Sequence, residues 1–185
     1  MDIILKRYPG LRVSVSSKIN PRFREYERMV VTAFDAYIGP VMDRYITKLN
    51  TSLAEIGVKN PLQLMQSRGG VTSSSMCSER PVLTLLSGPA AGVIGAKQIA
   101  QETGRKNILT LDLGGTSNDV SLIQNGETKL FTDGKIGNYP CRQAMMDIST
   151  IGAGGGSIAW VDGGGWLRVG PHSAGSFPGP ACYGK

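Results

Sequence analysis

One histidine, His172, and three widely separated cysteines, Cys77, Cys141 and Cys182, leave no C-x-x-C pair and no Cys/His spacing that could close a zinc site. An odd number of distant thiols also speaks against a disulfide framework and for a reducing, cytoplasmic setting. No apolar run approaches the roughly 20 residues of a membrane-spanning helix. The opening residues offer only Ile3, Ile4 and Leu5 before Lys6 and Arg7, too little for the apolar segment of a secretion signal. A Walker-type G-x-x-x-x-G-K-[ST] loop is missing as well. Charged residues are few, at 18%, which excludes a charge-laced helix array, and 41% apolar residues exclude a disordered tail.

What is abundant is glycine. The 185 residues hold 25, about twice the usual share, and they are not in the register of collagen. They gather at Gly114-Gly115, Gly152 to Gly156 (broken by Ala153) and Gly163 to Gly165. Such clusters between apolar strands either let a ligand approach the main chain closely or mark tight turns. The formal net charge is +6. The basic residues are spread mostly singly, so a nucleic-acid role would rest on charge alone; the expectation is a solvated surface, with no nucleic-acid and no membrane partner.

The length suits one ordinary domain. The first third reads as helix. Asn20-Pro21 is a start signal, and Phe23, Tyr26, Val30, Phe34 and Tyr37 recur as an amphipathic stripe that predicts core packing. Gly39-Pro40 predicts an interruption, with a second stripe through Val41, Tyr45, Leu49, Leu53 and Ile56, stopped by Gly57. From Leu62 the period changes. Strands are predicted over Leu62–Gln66 and Val82–Leu86, a helix over Pro89–Thr103, then strands over Asn107–Leu113 and Asp119–Gln124. Asn125-Gly126 is a hairpin turn leading to a strand over Glu127–Phe131, with two more over Ile158–Asp162 and Trp166–Val169. The fold class is therefore α/β, helices packed on a mixed sheet. Its predicted organisation is a helical segment over 1–61 and an α/β lobe over 62–185.

The stretch that carries chemistry is Leu111-Asp112-Leu113-Gly114-Gly115-Thr116-Ser117-Asn118-Asp119-Val120. A strand ends in an acid, two glycines and a hydroxyl residue make a turn, and a second strand leaves with another acid. Glycines there let main-chain N–H groups face phosphate oxygens, Thr116 adds a hydroxyl, and Asp112 and Asp119 are placed to hold a hydrated Mg²⁺ or orient a water. The same spacing also fits a plain hairpin whose acids cap the turn.

Asp112-Leu113-Gly114-Gly115-Thr116 resembles the phosphate-binding hairpin of the actin–sugar kinase–heat-shock chaperone superfamily of ATPases. Around it, Ser87-Gly88-Pro89-Ala90-Ala91-Gly92, Ile151-Gly152-Ala153-Gly154-Gly155-Gly156-Ser157 and Pro178-Gly179-Pro180-Ala181-Cys182-Tyr183-Gly184, with Arg24-Glu25-Tyr26-Glu27-Arg28 earlier, follow in an order that resembles the hydantoinase A/5-oxoprolinase family. The resemblance runs from about Pro21 to Gly184. It implies part of an actin-like, ribonuclease H-like ATPase lobe that binds ATP and Mg²⁺ and serves ATP-driven opening of a cyclic amide such as a hydantoin or 5-oxoproline. Relatives that carboxylate ketones keep a second activity open, as does a non-catalytic assembly subunit.

By that resemblance, Asp112 and Asp119 are the catalytic residues, Asp112 also holding Mg²⁺ through water. Gly114, Gly115, Thr116, Gly154, Gly155, Gly156 and Ser157 then line the nucleotide. Only one of the superfamily's two hairpins is present, so the resemblance implies an internal segment, inactive alone. It would be completed by a remaining lobe or a hydantoinase B-like partner subunit and be prone to form oligomers. Ser149 stands where relatives carry histidine and Arg68 where they carry asparagine. His172 reads as a solvent-facing loop residue and Cys182 as a structural thiol.

Overall fold

The structure, a computed structural model, describes residues 1–184. In chain order it begins with helices α1 (Asp2–Arg7), α2 (Ser16–Ile19) and α3 (Glu25–Glu55), the hairpin β1 (Gln63–Met65) and β2 (Val71–Ser73), and α4 (Ser74–Glu79). A 3₁₀ turn over Pro81–Thr84 leads to α5 (Ser87–Glu102), then β3 (Ile108–Leu113), β4 (Asn118–Gln124) and β5 (Glu127–Thr128). Four short strands follow, β6 (Leu130–Phe131), β7 (Gly134–Ile136), β8 (Tyr139–Cys141) and β9 (Met145–Met146), and finally β10 (Ser149–Ile151), β11 (Ser157–Val161) and β12 (Leu167–Ser173). Every ladder among the described residues is antiparallel. The chain divides into two compact units, Met1–Ala91 with Leu130–Met146, and Gly92–Lys129 with Asp147–Lys185. The position after residue 61 lies inside the first of them.

The first unit is organised by α3. Gly39-Pro40 does not break this helix, contrary to the sequence expectation: Pro40 is internal to a continuous run of 31 residues. Tertiary contacts outweigh the lost N–H. At Gly39 the Arg12 guanidinium lies against the backbone where a side chain would stand, and Arg12 is held there by Asp43 and the Ser78 carbonyl, both at 2.6 Å. The helix also starts at Glu25, after Arg24 at φ 82°, rather than at Pro21. Its buried face is Val30, Val31, Asp35, Gly39 and Ile46. The aromatic stripe read from the sequence is therefore corrected, since Phe23, Tyr26 and Tyr37 are exposed. The helix is turned so that small and β-branched residues face inward.

Inside, Ile19, Val31, Val82, Cys141 and Met145 form the core, with Phe34, Leu85 and Ile136 against it. The fully buried Asp35 accepts hydrogen bonds from the Ser14 hydroxyl at 2.7 Å and the Val82 N–H at 3.3 Å. Those bonds satisfy a carboxylate that burial would otherwise make costly. They also explain why Val82–Leu86 is not the strand its alternation suggests. Pro81 has no N–H and Val82's is taken by Asp35, so the segment curls into the 3₁₀ turn instead of joining a ladder.

In the second unit β10, β4 and β3 lie side by side, with β5 also paired to β4. The β4–β5 connection is the Asn125-Gly126 turn read from the sequence, both residues at positive φ (53° and 80°), as a two-residue hairpin of this handedness requires. The strand predicted over Glu127–Phe131 is split into β5 and β6, which pair with different partners. Strands β11 and β12 form a separate hairpin whose register shifts near Ser157. Its tip is capped by Asp162, which accepts from the N–H groups of Gly164 (2.9 Å) and Trp166 (3.0 Å) and from Arg168 Nε (2.7 Å). The Trp166 N–H first, and then Arg168, hold the Asp162 carboxyl below its ordinary range.

Candidate functional site

Strands β3 and β4 pair so that Asp112 stands directly opposite Asp119, with Leu111 opposite Val120 and Leu113 opposite Asn118. Opposed residues of an antiparallel pair share a face at about 4.5–5.5 Å between Cβ atoms, and like charges there repel. The same face carries Thr110 and Ser121. The Thr110 hydroxyl donates to the Ser121 carbonyl and accepts its N–H, both at 3.1 Å. Strand β10 adds Thr150 beside Asp119, and its hydroxyl donates to Asp119 Oδ1 at 2.6 Å. Asp112 makes no hydrogen bond among the described residues. Gly92 of α5 lies close enough that a Cβ there would meet Asp112 Oδ2 at 3.5 Å.

The turn between the strands is closed by one bond, Gly114 N–H to the Ser117 carbonyl at 2.9 Å. Against it lies the glycine-rich segment that follows β10. Gly155 N–H donates to the Gly114 carbonyl (2.9 Å) and Gly156 N–H to the Gly115 carbonyl (2.7 Å). Glycine is required at 154: a Cβ there would lie 2.6 Å from both the Gly114 oxygen and the Thr116 nitrogen. Gly154 N–H is held by Ser157 Oγ at 2.9 Å. Gly156 in turn accepts from Ala174 N–H (2.8 Å) and the Ser173 hydroxyl (3.2 Å), which ties the loop to the end of β12.

The result is a turn fixed from beneath, with the N–H groups of Gly115, Thr116 and Ser117 left without a hydrogen-bond partner among the described residues. Successive main-chain N–H groups at such a tip form an anion-accepting concavity. Gly114, Gly115, Thr116, Gly154, Gly155, Gly156 and Ser157 are thus brought together, and Asp112 and Asp119 stand on the strands that enter and leave the tip. The N–H groups of Gly155 and Gly156 point into the hairpin carbonyls, so this loop acts as a buttress. Thr150, bonded to Asp119, and Gly170, whose Cβ would meet the Gly152 oxygen at 2.6 Å, were not foreseen. A hydroxyl residue just before the glycine cluster was the available signal for Thr150.

Among the described residues no group of three or more His, Cys, Asp or Glu side chains could hold a metal ion. The two opposed carboxylates do suit an ion that keeps most of its waters and shares phosphate oxygens, as Mg²⁺ commonly does. His172 is exposed, its ring edge-on to Trp160 at 5.6 Å. Cys182 is exposed, which corrects its reading as a structural thiol: the chain turns through a 3₁₀ segment, Ala181–Tyr183, that buries none of its residues. The buried thiols are Cys77 and Cys141.

Residues 28–185 match the hydantoinase/oxoprolinase family. The whole chain aligns with the caprolactamase subunit alpha of Pseudomonas jessenii at 40% identity, covering 27% of that protein. The 5-oxoprolinase of Saccharomyces cerevisiae is 34% identical over 94% of this chain, which spans 13% of the enzyme. The crystal structure of the ATP-dependent caprolactamase from P. jessenii superposes with a TM-score of 0.85 at 39% identity, over all of this chain and 27% of that one. A nucleotide-free acetone carboxylase superposes with a TM-score of 0.76 at 30% identity, over 94% and 25%. The chain therefore spans about a quarter or less of the relatives it matches. On the match over residues 28–185, this chain belongs to the hydantoinase/oxoprolinase family.

Proposed function

We propose that this chain is the phosphate-binding part of an ATP-dependent enzyme that opens a cyclic amide. The observation that carries this reading is the buttressed tip: three consecutive unpartnered N–H groups, at Gly115, Thr116 and Ser117, between the opposed carboxylates of Asp112 and Asp119. Such donors are fixed before a ligand arrives and lose nothing to reorganisation. In this assignment the tip amides and the Thr116 hydroxyl take phosphate oxygens, and Gly154 to Ser157 hold the tip in shape. Asp112, without a partner of its own, faces the ion or its water, while Thr150 keeps Asp119 oriented. When bound, Mg²⁺ neutralises charge on the phosphates. The chemical logic is that an amide oxygen is a poor reaction centre until ATP activates it. A cyclic amide is preferred to a ketone because the caprolactamase subunit shares 40% identity over the full chain, against 35% over 92% for the acetophenone carboxylase gamma subunit of Aromatoleum aromaticum. Both relatives are named as subunits, and a partner subunit of the same kind is part of the proposal.

The test is calorimetric titration of the purified chain with Mg-ATP, beside Asp112→Asn and Gly114→Val. Saturable heat in the wild type that falls at least about tenfold in affinity in both variants supports the reading. A folded wild-type chain that gives no heat, or a Gly114→Val variant that binds equally well, overturns it and leaves the segment as a scaffold.

A further inference from the structure

The first unit also contains a cavity with a cationic lining, one that shares no residue with the hairpin. This cavity of about 410 Å³ is lined by four arginines, Arg22, Arg68, Arg80 and Arg142, and by no acidic residue. The arginines come from four separate segments, and each is differently held. Arg142 Nε is paired with Asp133 at 2.8 Å and lies 3.9 Å from Glu27. Arg80 donates through Nη2 to the Ile19 carbonyl at 2.7 Å. Arg68 Nε donates to Gln66 Oε1 at 2.9 Å. Arg22, Arg68 and Arg80 make no salt bridge among the described residues.

Three guanidinium groups without a counter-charge around one cavity repel each other, and arginine is the side chain whose planar fork matches oxyanions. Two further donors lack partners. Arg80 Nε is buried and unbonded. Gln66 is 6% exposed, its side-chain oxygen accepts from Arg68 Nε, and its amide nitrogen makes no hydrogen bond among the described residues. A buried donor such as Arg80 Nε is rarely left so, and Arg80 and Gln66 line the same cavity as the unpaired cations. The volume falls in the range of small-molecule sites and is lined by a few convergent polar groups, as such sites are.

We propose that this cavity is a binding site for a small molecule carrying an oxyanion, a carboxylate or a phosphate, which Arg22, Arg68 and Arg80 neutralise and the Gln66 amide orients. Arg142, already paired, fixes the wall. Arg68 gives the site its character in this chain, because an uncharged residue there would remove a third of the unpaired charge.

The experiment titrates the full chain separately with inorganic phosphate and with glutarate, following heat and thermal stability. The variants are Arg22→Ala/Arg68→Ala, both at exposed positions so that folding is retained, and Gly114→Val in the hairpin. Binding that persists in Gly114→Val and weakens at least about tenfold in the double variant assigns the ligand to the cavity. Phosphate alone, glutarate alone or both then identify the source of the oxyanion. Neither probe saturating a folded wild-type chain overturns the proposal, as does binding retained by the double variant. Binding by phosphate alone that only Gly114→Val abolishes also overturns it.

Discussion

The two units solve the problem of burial in opposite ways. In the first, the interior is closed: Val31, Val82 and Cys141 are almost wholly buried, and even the carboxylate of Asp35 lies inside with two hydrogen bonds. In the second, the sheet has one covered face and one open one. Ile123 and Ser121, on the face of Asp112 and Asp119, are buried, while Leu109, Leu111 and Leu113 on the opposite face are 60–65% exposed. Three leucines in alternate positions of one strand are a pattern that sheets normally cover. The first unit gathers unpaired arginines around one cavity, and the second presents its donors on a backbone tip. Where charge must be specified, side chains do it; where close approach must be allowed, glycine does.

The largest effect is expected where backbone meets backbone. At Gly154 an added methyl group collides with main-chain atoms of the hairpin at 2.6 Å, whereas at Gly39 it meets the side chain of Arg12, which can move aside at the cost of its bonds to Asp43 and Ser78. Gly154→Ala should destabilise the second unit by about 2–3 kcal/mol and abolish Mg-ATP binding, and Gly39→Ala should cost about 1 kcal/mol. Denaturant melts of the two variants decide this. A Gly154→Ala chain as stable as the wild type would mean that the loop does not hold the turn.

Much of the second unit was legible, because its signals are local. The Asn125-Gly126 turn, strands β3 and β4 and the acid–glycine–hydroxyl run each lie within a few consecutive residues. The first unit was legible only in outline. The helical period of α3 was plain, but which side faced inward depended on Asp35 and Gly39, a charged residue and a glycine that no hydrophobic stripe includes. The arginine cavity was invisible in the sequence, since its walls come from around residues 20–22, 66–68, 80 and 142–144 and only folding gathers them.

A middle-sized effect concerns the open leucine face. Leu111→Lys places a charge where the side chain is already exposed, so stability should change by no more than about 0.5 kcal/mol. Self-association should fall sharply if the leucines drive it. Sedimentation at several concentrations reads this out. A wild-type chain that stays monomeric at high concentration would show that the open face is not adhesive.

The last effect separates the units by pH. Burial pushes the Cys141 thiol up to about 11 from 9.0, and raises Cys77 in the same direction. Both lie in the first unit. The sign follows from which form burial favours. Below pH 9 the thiol is neutral whether the chain is folded or not, so its burial is unopposed. For Cys141, between about 9 and 11 the unfolded chain loses the proton while the folded chain keeps it, and stability falls by at most about 1.4 kcal/mol per pH unit; Cys77 acts in the same direction. Unfolding of the first unit should therefore become easier across that window, and Cys141→Ala should flatten the slope. Cys182, exposed in the second unit, should react with a thiol reagent in the native chain, while Cys77 and Cys141 react only as the first unit opens. Equal reactivity of all three thiols at neutral pH would show that the first unit's closed core does not persist in solution.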